Sequence, residues 1–394
     1  MLNFAALIFS LVVVIISIPV ITFFVQVLLS LLPSSHKSTA AKYTPTTTIL
    51  IPAHNESTGI VQTLLSVKAQ LTPNIKVLVV ADNCNDDTAA VARSYGVEVI
   101  ERHHDAERGK GYALDFGIQH LATHPPDVVL ILDADCLVGE HAIATLVDQA
   151  VEYHRPIQGL YLMNARKDSP LKIKIAAFAW AVKNWSRPLG FFRIGLACPL
   201  MGSGMAFSWH IISQVNFASG HIVEDLKLGI DFAKLNIPPL FCPAALITSE
   251  FPGSEEGINT QRTRWEHGHL SMILKEGLPL IVRGIKQANL NMLTMAIDMC
   301  LPPLALLVLI IATISIVGLL MTAVTHQLLP WSGILIDALL VAVAVILAWC
   351  KFGRNIVKFS ELLMVPIYIA TKIPLYAKFV FKRQSEWVRS KRDK

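Results

Sequence analysis

Cysteine is scarce in this chain and follows no pattern. The six thiols, Cys84, Cys136, Cys198, Cys242, Cys300 and Cys350, include no CxxC pair and no histidine at zinc-finger spacing. This excludes a disulfide framework and a structural zinc site, and it suits free thiols in a reducing compartment. Glycine-rich phosphate loops are missing too: neither GxGxxG nor GxxxxGKS/T follows the first two predicted strands, which argues against a dinucleotide fold or a P-loop. Charge is thin, at 16% of 394 residues. With a mean hydropathy of +0.51, that excludes a purely soluble protein. The net charge of +5 is not gathered into a stripe interleaved with aromatics, so no nucleic-acid partner is expected.

What is present is apolar sequence in two blocks, Leu2 to Leu32 and Ile297 to Val380, around a stretch of ordinary globular composition. Residues 1–33 are long enough for a retained spanning helix rather than a cleaved signal. Its basic flank, Lys37 and Lys42, follows it. The positive-inside rule then places the chain from about Ser34 in the cytosol. Two further spans are expected at Ile297 to Val324 and Trp331 to Cys350, returning the chain to the cytosol at Lys351, Arg354 and Lys358. Leu362 to Val380 contains Pro366, Lys372 and Pro374 ahead of a basic tail, 381–394, and reads equally as a re-entrant or interfacial element and as a span. Residues 173–194 mix Phe178, Trp180, Trp185, Phe191 and Phe192 with Lys183, Arg187 and Arg193, as a helix lying in the headgroup layer would. These features predict a multi-pass protein of the plasma (bacterial inner) membrane. Its domains are a cytosolic one at 34–285 and a transmembrane and interfacial region at 286–380.

From Thr46 short apolar runs alternate with helix-like stretches: TTTILIPA, a helix from about Thr58, KVLVVAD, a helix from about Asp87, VEVIER, a helix from about Gly111, then DVVLILDAD. The alternation predicts an α/β, doubly wound, mostly parallel sheet, with ligands at the carboxyl ends of its strands. The polar residues there are of two kinds. Those after the first two strands, in Pro52-Ala53-His54-Asn55-Glu56 and around Asp82, read as turn and cap residues or as a nucleotide site, in which Asp82 accepts from a uracil or ribose donor group. Arg108-Gly109-Lys110-Gly111 puts cations and a helix start where a phosphate can be held, although a solvated turn has the same composition. Asp133-Ala134-Asp135 closes a buried run, and two carboxylates there are costly unless exposed or bound to a cation such as Mg²⁺ or Mn²⁺. Downstream, Gly202-Ser203-Gly204 permits close backbone approach, or is a plain turn. Glu224-Asp225 suits a helix start, or supplies a base for an acceptor hydroxyl. Arg264 can neutralise a diphosphate and Trp265 can pack on a pyranose.

In this order, Asp82, Asp133-Ala134-Asp135, Glu224-Asp225 and Gln261-x-x-Arg264-Trp265 resemble the D, DxD, (T/E)D, QxxRW signature of glycosyltransferase family 2. The chain looks like the membrane synthases related to cellulose, chitin, hyaluronan and poly-N-acetylglucosamine synthases, over about residues 46–270. The resemblance implies a GT-A domain, a UDP-sugar donor and inversion at the anomeric carbon. It implies that Pro52, Ala53, Glu56, Asp82 and Lys110 contact the uridine diphosphate, that Asp135 is the main metal ligand with Asp133 in support, and that Asp225 is the base. Gln261, Arg264 and Trp265 would line the acceptor entrance and steady the pyrophosphate, with Gly202, Ser203 and Gly204 beneath the acceptor. Val223 departs from the family pattern, in which a Thr often precedes the acidic pair, and the membrane part is smaller than in the large synthases.

Two enzyme readings follow: extension of a polysaccharide or lipid-linked glycan, with export or co-synthase subunits as partners, and single addition to a glycolipid of the ceramide or diacylglycerol type. A non-catalytic nucleotide-sugar-binding transporter or receptor is the third reading, from another class. It calls for charged residues within the spans, where only Asp298 and Asp337 occur, both near span ends.

Overall fold

The computed structural model describes residues 2–33, 44–166, 168–325 and 329–381. Lys37, Lys42 and the basic tail from Lys382, on which part of the topology rests, lie outside the described residues. The chain forms two compact units, one from the described residues within 1–33, 168–195 and 270–383, the other from those within 34–167 and 196–269.

The first unit is helical. Among the described residues, four helical segments are long and apolar enough to cross a membrane: Ala6–Ser30, Leu304–Val324, Trp331–Gly353 and Phe359–Phe381. Most of each faces outward; only 22, 17, 28 and 17% of their windows is buried, a share that water would penalise and lipid would not. The second span starts at Leu304 rather than Ile297, because Pro302 and Pro303 end the preceding helix, Leu290–Met299. Asp298 thus falls outside the span. Its carboxylate accepts from Arg187 Nη2 (2.7 Å) and Gln26 Nε2 (2.5 Å), a buried ion pair whose charges offset each other. Asp337 accepts from Ser17 Oγ at 2.9 Å. The last segment is broken into Phe359–Leu362, Val365–Ala370 and Ile373–Phe381, with Pro366 and Pro374 each in the first turn of a new piece.

Residues 173–194 belong to this unit and are mostly packed inside it, with Phe178, Arg187, Leu189 and Phe191 buried. Gly190 makes that possible: a Cβ there would stand 1.9 Å from the carbonyl oxygen of Gln26, so two backbones pass each other without side chains between them. The pattern of a headgroup helix occurs instead at Leu278–Lys286, where Leu278, Val282 and Ile285 are exposed on one face beside Arg283 and Lys286. Residues 270–285 group with the apolar unit, and the unit that carries the sheet includes residues up to 269.

The second unit is built on one eight-stranded sheet: β1 (Thr47–Ala53), β2 (Ile75–Asp82), β3 (Glu98–Arg102), β4 (Val128–Ile131), β5 (Leu137–Val138), β6 (Ile157–Asn164), β7 (Met205–Ser208) and β8 (Leu240–Glu250). The order is β3-β2-β1-β4-β7-β6-β8-β5. The half predicted from the alternating pattern is parallel, through β3, β2, β1 and β4. Beyond it the sheet is mixed: β7 runs antiparallel to both β4 and β6, and β5 antiparallel to β8. Strands β1 and β4 are buried along their whole length, consistent with a central position covered on both faces. Helices Gly59–Lys68, Thr88–Ser94 and Lys110–Leu121 connect the parallel strands. One core cluster joins Leu50, Leu78, Val80, Leu114, Val129 and Ile131 to Phe207 and Phe232, and so ties the parallel half to β7 and to helix Glu224–Lys234.

Candidate active site

The parallel strands end together, so the residues after β1, β2 and β4 share one edge of the sheet. Register pairs Ala53 with Ala81, and Leu50 with Ile131, two residues before Asp133. Beyond β1 the chain turns sharply, with Asn55 at φ 54°, and Asn55 Oδ1 accepts from the Asn85 N–H at 2.6 Å, locking the loops after β1 and β2 together. His54 Nδ1 meets the Asp82 carbonyl at 2.7 Å, and the Glu56 N–H donates to Thr88 Oγ1 at 2.8 Å. A Cβ on Gly59 would lie 2.9 Å from Glu56 Oε2 and 3.9 Å from the Ala134 carbonyl, so Glu56 reaches toward the DxD turn. Pro52 and Ala53 are buried strand residues that present backbone to this edge.

Lys110 stands at the centre of the acidic residues. At the start of its helix, Nζ pairs with Asp133, donates to the Gly202 carbonyl at 2.5 Å and lies 3.9 Å from Glu224 Oε1. Burial opposes its charge, but Asp133, Glu224 and Asp225 outweigh that and hold the ammonium above its ordinary value. It remains charged, and is an internal counter-ion as well as a group facing a ligand. Glu224 moves the other way. Burial pushes its carboxyl up to about 7, against the attraction of Lys110 and with the repulsion of Asp225; Arg264 also acts on it, downward. The Arg264 charge is therefore felt at Glu224.

The Gly202-Ser203-Gly204 loop is held by a residue that sequence reasoning missed. Gln158, fully buried on β6, donates through Nε2 to the Ser203 carbonyl (2.9 Å) and accepts at Oε1 from the Met201 N–H (2.7 Å). The signal was present: an amide inside an apolar strand has to find partners. Gly202 and Gly204 have φ of 97° and 67°, left-handed values that suit glycine. Ser203 Oγ accepts from the Asp133 N–H at 3.0 Å, and Asp225 Oδ2 is 3.4 Å from where a Cβ on Gly202 would be. The loop thus touches both the DxD turn and the acidic pair. Asp225 sits in the first turn of helix Glu224–Lys234, where its Oδ1 accepts from the Leu226 N–H at 2.8 Å.

Asp133, Asp135 and Cys136 each bring a possible metal-ligating atom within 4.8 Å of the others. Burial, reinforced by Asp135 and Asp133, pushes the Cys136 thiol well up, and a soft sulfur is a poor match for a hard divalent cation. What remains is two carboxylates, Asp135 being oriented by Ser249 Oγ at 2.9 Å. Two hard oxygen ligands fit Mg²⁺ or Mn²⁺, which complete their coordination with further oxygens from water or phosphate.

Gln261, Arg264 and Trp265 lie on helix Glu255–Met272, Gln261 buried and the other two half-buried. The helix is seated by Gly268: a Cβ there would meet Val223 Cγ1 at 2.6 Å and Ile222 Cγ1 at 3.1 Å, on the residues that lead into Glu224. Gly268→Ala is expected to displace Val223 and destabilise the fold by about 1–3 kcal/mol. Thermal unfolding would check this; an unchanged transition would contradict the seating.

The sequence profile described as "Glycosyltransferase like family 2" matches residues 45–268. Among curated proteins, the chain is 28% identical over 251 residues to the probable glycosyltransferase YdaM of Bacillus subtilis, covering 59% of this chain and 57% of that protein. It is 38% identical over 106 residues to the 4,4'-diaponeurosporenoate glycosyltransferase of Staphylococcus aureus, covering 26% and 27% of the two chains. The chain thus spans less than two thirds of the length of these relatives. Among solved structures, it is similar to the mannosyltransferase PcManGT of Pyrobaculum calidifontis in complex with GDP-Man and Mn²⁺, at a TM-score of 0.54 and 16% identity, covering 98% of this chain and all of that one. At that identity the likeness concerns the fold, which is the GT-A type. The profile covers more than half of the chain, which therefore belongs to glycosyltransferase-like family 2.

Proposed function

We propose that the protein transfers a sugar from a UDP-sugar to a growing polysaccharide or lipid-linked acceptor, with inversion, at the cytosolic face of a membrane. The observation that carries this reading is the junction at Lys110, which joins Asp133 on the donor side to Glu224 and the Gly202 loop on the acceptor side. In this reading Asp225 takes the proton of the acceptor hydroxyl as that oxygen bonds to the anomeric carbon. The bond from that carbon to the diphosphate breaks on the opposite face, its electron pair leaving with UDP, so one displacement inverts the centre. Asp135, with Asp133 in support, would hold a Mg²⁺ or Mn²⁺ ion, which when bound neutralises charge on the departing diphosphate. Pro52, Ala53, Glu56, Asp82 and Lys110 bind the nucleotide. Arg264 steadies the pyrophosphate, and Gln261 and Trp265 face the acceptor above the Gly202 loop. The exposed cations Lys351, at the end of the third candidate span, and Arg354 and Lys358 after it support a cytosolic orientation.

The second reading is single addition to a glycolipid. It is favoured by the relative named for one defined molecule, 4,4'-diaponeurosporenoate, and by the small number of candidate spans. Supplying radiolabelled UDP-sugars to the full chain in membranes and measuring product length separates the two. A ladder of products supports extension, one added sugar supports the second reading, and no transfer from any UDP-sugar contradicts both.

A further inference from the structure

Asp82 closes β2 and Arg102 closes β3, and the parallel register sets them side by side. Arg102 Nη1 donates to Asp82 Oδ1 at 2.8 Å, and Asn83 Nδ2 donates to the same oxygen at 3.2 Å. Asp82 is 5% exposed and Arg102 9%. The guanidinium is itself fixed: Nη1 donates to the Glu107 carbonyl and Nη2 to Glu107 Oε2, both at 2.9 Å, and the group lies 5.6 Å from the centre of the Tyr112 ring. Both side-chain bonds to Asp82 fall on Oδ1. Oδ2 takes no hydrogen bond from the described residues.

A carboxylate oxygen has about two lone-pair sites, so Oδ1 is full and Asp82 offers one oxygen to a ligand. Nucleobases differ in what they bring to such a group. Uracil presents one imide N–H between two carbonyls, a match for a single acceptor. Guanine presents two adjacent, parallel N–H donors, which make straight bonds only to both oxygens of a carboxylate; here both would have to bend toward Oδ2, leaving one poorly paired in a buried site. Adenine and cytosine present a ring nitrogen lone pair that repels an anionic oxygen.

We infer that Arg102 is the specificity-determining residue of the donor site: by occupying one oxygen of Asp82 it selects a uracil nucleotide and rejects guanine. This rests on the donor-site reading above and deepens it. Arg102 acts through Asp82 and is a positioning residue. The expected discrimination is on the order of ten- to a hundred-fold, the cost of one buried, poorly paired donor expressed as a binding ratio.

The test measures Kd for UDP, GDP, CDP and ADP with the full chain in detergent, at fixed metal concentration, for the natural protein and for Arg102→Met and Asn83→Gly. The natural protein should bind UDP on the order of ten- to a hundred-fold more tightly than GDP. Arg102→Met should bring the UDP-to-GDP ratio close to one. Asn83→Gly, which keeps the left-handed backbone (φ 50°) and removes the second donor to Oδ1 along with the acceptor of the His104 N–H, should lower the ratio part of the way. A purely structural Arg102 would weaken both nucleotides in proportion and leave the ratio unmoved. Equal affinities in the natural protein, or a ratio that neither variant changes, overturn the inference; the first of these needs no variant to fold. Failure of every nucleotide to bind would sink the donor-site reading itself, whereas binding without base preference sinks this inference alone.

Discussion

Asp225→Asn is expected to lower the transfer rate by about 10²–10⁴-fold, the usual contribution of a positioned base, while UDP affinity stays within a factor of about two. The substitution is nearly isosteric. The carbonyl oxygen of Asn can still accept the Leu226 N–H that Asp225 Oδ1 accepts now, so the start of the helix should survive. What is lost is the ability to take a proton. The neighbouring Glu224, pushed up to about 7 by burial, is the rival base, but Lys110 lies 3.9 Å from it and engages its carboxylate. Single-turnover transfer and UDP titration on the same preparation would check both halves. Activity retained in Asp225→Asn, with loss in Glu224→Gln, would move the base to the adjacent residue.

The second large effect is expected at the DxD turn. Asp135→Ala should lower transfer on the order of a thousand-fold, since a metal at a developing charge is worth several kcal/mol. It should also abolish the metal dependence of UDP binding. Removal of divalent ions with a chelator should reproduce the loss in the natural protein and add little in the variant. The two experiments probe different steps: Asp225→Asn keeps metal-dependent nucleotide binding and Asp135→Ala does not. Isothermal titration of Mn²⁺ with UDP present distinguishes them, and metal-dependent binding that persisted in Asp135→Ala would contradict the ligand assignment. Ser249 supports the same carboxylate from β8, so its removal should cause a smaller loss of the same kind.

Most of the parallel half of the sheet was legible because its signal is local. Apolar runs such as KVLVVAD, separated by helix-length stretches, state strand, helix and strand without reference to distant residues. The antiparallel insertion of β7 between β4 and β6 was not legible, since four residues of Met205–Ser208 carry no sign of their partners. The site divided in the same way. Its acidic residues stood out by type and order. Gln158, Ser249 and Arg102 did not, because each acts through contacts between strands far apart in the chain. Of these, two left usable traces: Arg102 ends its strand as Asp82 ends the neighbouring one, and parallel register aligns strand ends, while Gln158 is an amide inside an apolar strand. In the apolar unit, composition located the helices that are long and apolar enough to cross a membrane but misplaced two details. Paired prolines moved the start of the second span to Leu304, and the aromatic and basic mixture at 173–194 proved to be packed around Gly190, while the exposed amphipathic face lies at Leu278–Lys286.

The central claim is that this site turns over a nucleotide sugar rather than merely binding one. The most direct measurement is UDP release by the full chain in membranes, across a panel of UDP-sugars, with Mg²⁺ or Mn²⁺ present or chelated. The account predicts that at least one UDP-sugar gives release that requires the metal and is lost in Asp225→Asn. Tight UDP-sugar binding with no release from any member of the panel, with or without metal, would contradict it and point to a sensor or carrier instead.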